Sequence, residues 1–418
     1  MKARASRTLH ASWMVAAALA GCFVFACSTS DTDGSSPTSS DAAVDSAVPD
    51  AASPDDADAA PDARGPFDAE APPVTCSVTP CITKIVAGPN HYCAVSSEGV
   101  VWCWGDPNAL GNFAPKTSPA ADRGAKPVLL AGVADVVDLG ATLTHTCVLH
   151  SDGGVDCFGR GSAALSRVAR VAGAKRLAVG DSRSCVVDGN DQLTCWGDSF
   201  ALGNGQTTMD AGGEKAASVA MSDYAAFVVG MSGSVYSWGF EKQMLGRTTS
   251  LGIDWTPDRV EVLPATLQLA ASTKHVCAIT IDGRLFCWGH GDQGALGVGN
   301  FQDMPLPTEV GIPGPAFPAQ IAVSGGHSCA RTTNGRLYCW SRANTYGELG
   351  YEDVAGVFVP ALVSSMENVV SVATGTGSTC ALSTSGVVQC WGDNSKGQLG
   401  IGQHDSQRHP TPTAVAFP

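Results

Sequence analysis

Apolar residues in this chain come in short runs, split by polar triplets that usually end in glycine. Cys93-Ala-Val-Ser is followed by Ser97-Glu98-Gly99 and then by Val100-Val-Trp-Cys103. Runs this short, bounded by turn residues, predict strands rather than helices. A three-residue hairpin loop is commonly a type I turn followed by a left-handed residue, where glycine avoids a Cβ clash. Gly99, Gly153, Gly233, Gly283, Gly335 and Gly386 hold that position, and Asp191 holds it in the third unit. This loop sets the register: Ser96 faces Val100, Val95 faces Val101, Ala94 faces Trp102 and Cys93 faces Cys103.

The pattern repeats from about Ile82 onward. The second cysteine, or the serine in its place, falls at positions 103, 157, 195, 237, 287, 339 and 390, so there are seven units. Six carry a cysteine pair ten residues apart: Cys93-Cys103, Cys147-Cys157, Cys185-Cys195, Cys277-Cys287, Cys329-Cys339 and Cys380-Cys390. The fourth unit has Phe227 and Ser237 and loses both cysteines together, as expected if each pair is one disulfide. Opposed residues in an antiparallel pair have Cα atoms ~4.5–5.5 Å apart, within the ~4.4–6.8 Å that a disulfide spans. Each bond closes a small loop and contributes roughly 2–3 kcal/mol. Zinc ligands come in closer clusters, so no metal is expected. Cys76 and Cys81 can pair around Pro80. Regular cysteine pairs point to an oxidising compartment.

After the second cysteine stands an aromatic: Trp104, Trp196, Trp238, Trp288, Trp340 and Trp391, with Phe158 in the second unit. Leu-Gly pairs follow at Leu110, Leu202, Leu245, Leu296, Leu349 and Leu399. One aromatic and one leucine per unit predict packing between neighbouring units. His91, His145, His275 and His327 lie two residues before a first cysteine, where Arg183, Ala225 and Ser378 stand in the other units. Four imidazoles on one face could ring a metal. The favoured expectation is a repeat histidine that hydrogen-bonds a neighbouring loop.

These units resemble the repeats of the regulator of chromosome condensation family, most closely at Trp391-Gly392-Asp393-Asn394-Ser395-Lys396-Gly397-Gln398-Leu399-Gly400. The resemblance covers roughly residues 82–418. It implies an all-β fold, a seven-bladed β-propeller of four-stranded antiparallel blades, here with a disulfide across the central hairpin of six blades. Pro127-Val-Leu-Leu and Pro360-Ala-Leu-Val read as strands opening the unit that follows them. The first unit has no such strand upstream, so the C-terminal Pro410-Thr-Pro-Thr-Ala-Val-Ala-Phe is expected to join it and close the ring.

The N-terminal stretch is different. Lys2, Arg4 and Arg7 precede a short apolar run, Trp13 to Ala20, too short to span a bilayer. Leu19-Ala20-Gly21-Cys22 resembles a bacterial lipoprotein box, in which the cysteine is acylated; Cys27 is the alternative. Between Ser28 and Pro73 there are eleven acidic residues and one basic residue, Arg64. Such a segment cannot bury enough apolar surface to order itself. The expected organisation is a signal peptide over 1–21, an acylated cysteine with a disordered tether over 22–80, and the propeller over 81–418. A lipid-anchored monomer in a bacterial cell envelope follows.

No basic patch appears, which argues against nucleic-acid binding. No HExxH, GxSxG or phosphate-loop motif appears either, so no catalytic residue, enzyme activity or cofactor is expected. Binding of a protein or envelope ligand is the leading function. A carbohydrate-binding or carbohydrate-active propeller is second, with 107–127 and 298–318 as the segments to search. Guanine nucleotide exchange, implied by the resemblance, needs an intracellular partner and sits badly with export.

Overall fold

The computed structural model describes residues 67–113, 123–159, 162–168, 171–197, 207–209 and 213–418. Cys22, Cys27, the segment up to residue 66 and Leu202 lie outside these residues. The described strands form seven four-stranded antiparallel sheets over 82–129, 136–167, 174–209, 216–259, 266–310, 318–362 and 369–414, here called blades 1 to 7. In blade 1 the strands are β1 (Ile82–Ala87), β2 (His91–Ser96), β3 (Val101–Gly105) and β4 (Val128–Leu129). First strands touch first strands around the ring, blade 1 against blade 7 included, and so line the central channel. Small side chains such as Ala178, Ala220 and Ala270 let seven strands crowd there. The second strand is the core element, and β2 is buried at every position.

The register is the one the turn chemistry dictates. Val95 pairs with Val101, Ala94 with Trp102 and Cys93 with Cys103, and the same offset recurs in blades 2 to 7. The turn glycines have φ between 72° and 84°, and Asp191 has φ 63°. All six ladder disulfides are formed. Their Cα atoms lie 4.0–4.1 Å apart, closer than expected. The Ser96 N–H donates to Val100 O, and hydrogen-bonded rungs alternate with open ones. The cysteines therefore occupy an open rung, the narrower kind.

Blade 4 fills the missing rung with other chemistry. Phe227 is fully buried and meets Trp288 of blade 5 edge-on, 6.0 Å between centroids. The Ser237 hydroxyl donates to Leu245 O at 2.7 Å. Arg247, buried beside it, donates from Nε to Ser237 Oγ at 3.1 Å and from Nη1 to Asp254 Oδ2 at 2.9 Å. The Asp254 carboxyl is buried, which alone would raise its pKa; the hydrogen bonds from Arg247, the Thr256 N–H and the Thr249 hydroxyl hold it below the usual range.

Ring closure differs from the expectation. The Pro-rich strands are outermost and belong to the preceding blade: Val128 pairs with Cys103, and Ala361 with Cys339. The C-terminal strand, Thr413–Ala414, accordingly pairs with Gln389 and Cys390 of blade 7. Among the described residues no blade borrows a strand. Blades 7 and 1 meet through side chains and loops instead. The Trp104 Nε1–H donates to Gln398 O at 2.9 Å, Tyr92 and Ser378 hydroxyls bond at 2.9 Å, and Phe417 sits edge-on to Trp102 and Trp104.

Part of the expected tether is seated on the propeller. Phe67 packs edge-on against Phe317, and Arg331 donates to Ala69 O at 3.0 Å. The Thr75 and Ser77 amides donate to Thr384 O and Ser385 O, and Cys76 is bonded to Cys81. Residues 67–81 thus form a strap across the hairpin turns of blades 5 to 7 before the chain enters β1.

Candidate functional site

The repeat residues do structural work at the blade interfaces. Trp288 donates its Nε1–H to Met244 O, Trp340 to Ala295 O and Trp391 to Glu348 O, at 2.7–2.9 Å. Each acceptor is the residue before a Leu-Gly pair of the preceding blade. The glycine is required, since a Cβ at Gly297 would come within 2.6 Å of the Trp340 Nε1. Trp104 and Trp238 are buried in the same way, and Trp196 is half-buried. Phe158 packs edge-on against Phe113 of blade 1.

His91, His275 and His327 also bridge blades, while His145 Nδ1 meets Thr142 Oγ1 of its own loop at 3.0 Å. His91 Nε2 pairs with Thr146 Oγ1 at 2.9 Å, His275 with Ser328 Oγ at 2.6 Å and His327 with Thr379 Oγ1 at 2.7 Å. Burial lowers their pKa values to about 4, about 3 and about 4 respectively. They are neutral hydrogen-bonding groups at separate interfaces, and each partner lies on the second strand of the next blade rather than in a neighbouring loop. Where position changes, the partner changes with it. Ser378 meets Tyr92, and Ala225 stands beside an apolar Val276 where every blade but 4 and 5 has a hydroxyl.

The two faces of the ring differ. One carries the hairpin turns and the strap. The other carries the loops between first and second strands, and a mouth of about 540 Å³ opens there around the channel, lined by Thr142, Asp181, Asp223, Lys274, Tyr346 and Glu348 among others. A second cavity of about 600 Å³ adjoins it, between Leu143 and Thr144 of blade 2, Asp181 and Ser182 of blade 3, and Asp223, Tyr224, Phe240 and Glu241 of blade 4. Burial pushes the Glu348 carboxyl above its usual range; burial, then the Asp181 charge, does the same to Asp223.

These loop-face residues were not singled out from sequence. A signal existed: at the second position of this loop the other blades have Pro89, Leu143, Thr273, Gly325 and Thr376, and only blades 3 and 4 have aspartate. Of the segments first marked for a ligand site, 298–318 supplies the outer strand Met304–Val310 of blade 5 and lines none of these cavities. Residues 114–122 of the other lie outside the described residues.

Sequence models of the regulator of chromosome condensation (RCC1) repeat match residues 282–331, 334–382 and 385–418, and a second such model matches 82–111, 267–295, 319–348 and 369–398. These matches fall on blades 1, 5, 6 and 7. The ultraviolet-B receptor UVR8 of Arabidopsis thaliana is 30% identical over 244 residues, 53% of this chain and 53% of the receptor. The mouse E3 ubiquitin-protein ligase HERC2 is 32% identical over 193 residues, 44% of this chain and 4% of the ligase. The matched stretch therefore spans about half of the receptor and a small part of the ligase. Among solved structures, Prp20p of Saccharomyces cerevisiae aligns with TM-score 0.66 at 19% identity, covering 77% of this chain and 87% of that one. Human WBSCR16 aligns with TM-score 0.65 at 19% identity, covering 74% and 88%. At such identities the likeness concerns the fold. Repeats, register and ring agree, and the chain carries regulator of chromosome condensation repeats folded as a seven-bladed β-propeller.

Proposed function

We propose that this chain is an exported, lipid-anchored propeller that binds a protein partner on its loop face and catalyses no reaction. The observation that carries the choice of face is the strap. Residues 67–81 cross the turn face of blades 5 to 7, so a lipid on Cys22 would be connected to the ring at that face. The loop face, with its mouth and adjoining cavity, is the face the strap leaves uncovered. Protein binding is in keeping with the relatives: yeast Prp20p is described by its binding to Gsp1p and histones. Disulfides in six blades suit an oxidising exterior.

Two experiments test this. Blocking lipoprotein processing with globomycin, or replacing Cys22 with serine, should release the protein from the membrane fraction; an unchanged distribution in both counts against the anchor at Cys22. Cross-linking the full chain in intact envelopes should trap a protein through loop-face residues. Retention of glycans alone would favour the carbohydrate reading.

A further inference from the structure

We propose that the groove between blades 2, 3 and 4 on the loop face takes a protein segment that presents a lysine or arginine side chain beside an apolar one. The inference rests on the loop-face reading above and names the chemistry of the partner. Three kinds of observation support it.

The first is a departure from the repeat. Seven copies of one loop supply an internal background, and only two adjacent copies place a carboxylate here, Asp181 and Asp223. Tyr224 and Phe240 have no aromatic counterpart at their positions in the other described blades. A residue needed to build a blade would recur around the ring; these do not.

The second is exposed apolar surface. Leu143 is 50% exposed, Tyr224 45% and Phe240 38%, and all three wall one cavity of about 600 Å³. Scattered apolar side chains need no explanation, but contiguous ones around a concavity mark contact surfaces.

The third is charge. Asp181, Asp223 and Glu241 rim the groove, and no lysine or arginine lies in its lining. Asp181 Oδ1 accepts from the Leu143 N–H and Asp223 Oδ1 from the Asp181 N–H, at 2.9 and 3.3 Å. The second oxygen of each takes no hydrogen bond from the described residues. The Arg183 guanidinium, whose charge acts on Asp223, packs against Trp255 and Phe240, 5.2 and 5.9 Å from their centroids. It steadies Phe240 and partly offsets Asp223, yet Asp223 still sits above its usual pKa. An incoming cation would complete the rim, and its aliphatic stem would lie along the aromatic walls.

The test pans a displayed library of random peptides against the full chain. Expected peptides carry lysine or arginine next to leucine or an aromatic, and added salt weakens them. The double variant Asp181→Asn/Asp223→Asn keeps the side-chain oxygens that accept from the Leu143 and Asp181 N–H groups and should weaken binding by about tenfold or more, with its melting temperature unchanged. Phe240→Ala should weaken binding as well. Peptides without enriched cations, equal affinity for the double variant, or an empty selection would each overturn the inference. Peptides that instead cross-link beside Lys274, indifferent to both substitutions, would remove this groove while leaving the loop-face reading in place. Cross-linking in intact envelopes decides that reading separately.

Discussion

Blades 5 to 7 and blades 2 to 4 are built on one plan and use it differently. In the first group the residues at repeat positions are absorbed by packing. Trp340 and Trp391 bond back to the preceding blade, His275 and His327 bond forward, and every hairpin is stapled. In the second group the plan is relaxed. Phe158 replaces a tryptophan, Arg183 and Ala225 replace histidines, and blade 4 has no staple. The loop-face groove lies among those same blades. Regular repeats secure the ring, and irregular ones are free to carry surface chemistry.

The largest effect should come from the blade without a staple. Arg247→Ala would strand the buried Asp254 carboxylate, at a cost of about 3–5 kcal/mol in denaturant unfolding. A loss under ~1 kcal/mol would show that the polar network is not what replaces the disulfide. Next, the paired change Cys277→Ala/Cys287→Ala in blade 5 should cost roughly 2–3 kcal/mol. Adding cysteines at Phe227 and Ser237 should bring no matching gain, because it evicts a buried ring and removes an Arg247 acceptor.

Acid should then separate the two groups. A buried histidine with a lowered pKa contributes stability that is full above its unfolded value of about 6.5. That contribution is lost as pH falls through the folded values of about 3 and 4 for His275 and His327. The variant His275→Asn/His327→Asn should therefore show a flatter stability slope between neutral pH and pH ~4; an unaltered slope would mean that these imidazoles can protonate in place. A smaller loss, about 1 kcal/mol, is expected for Trp340→Phe. The Ala295 carbonyl loses the indole donor but keeps its bond from the Ser328 hydroxyl. The smallest change is expected at Asp223→Asn, within ~0.5 kcal/mol of the parent or slightly more stable, since burial already disfavours its charge.

Much of the ring was legible because its signals are local. A three-residue turn with glycine at one position determines five cross-strand pairs, and the cysteine spacing adds an independent check. The outer strands were harder. Val128–Leu129 is closer along the chain to the next blade's first strand than to β3, which it pairs with. Proline was the usable signal: Pro257, Pro305, Pro307 and Pro360 all sit on outermost strands, where an edge can do without the N–H. The strap and the Arg247 network depend on contacts between distant positions, such as Arg331 with Ala69, and nothing local marks them; the groove left only the two loop aspartates, Asp181 and Asp223, as a mark.

Because each blade is one uninterrupted stretch of chain, the unit of folding is also a unit of inheritance. A tandem duplication or deletion spanning one blade would change copy number without cutting a sheet in two. The cost would fall on two interfaces, where a histidine must meet a hydroxyl and a tyrosine a serine. Matched neighbours such as Tyr92 and Ser378 therefore act as an address system. They limit which blade could be duplicated or lost without leaving an unmatched polar group at a new interface.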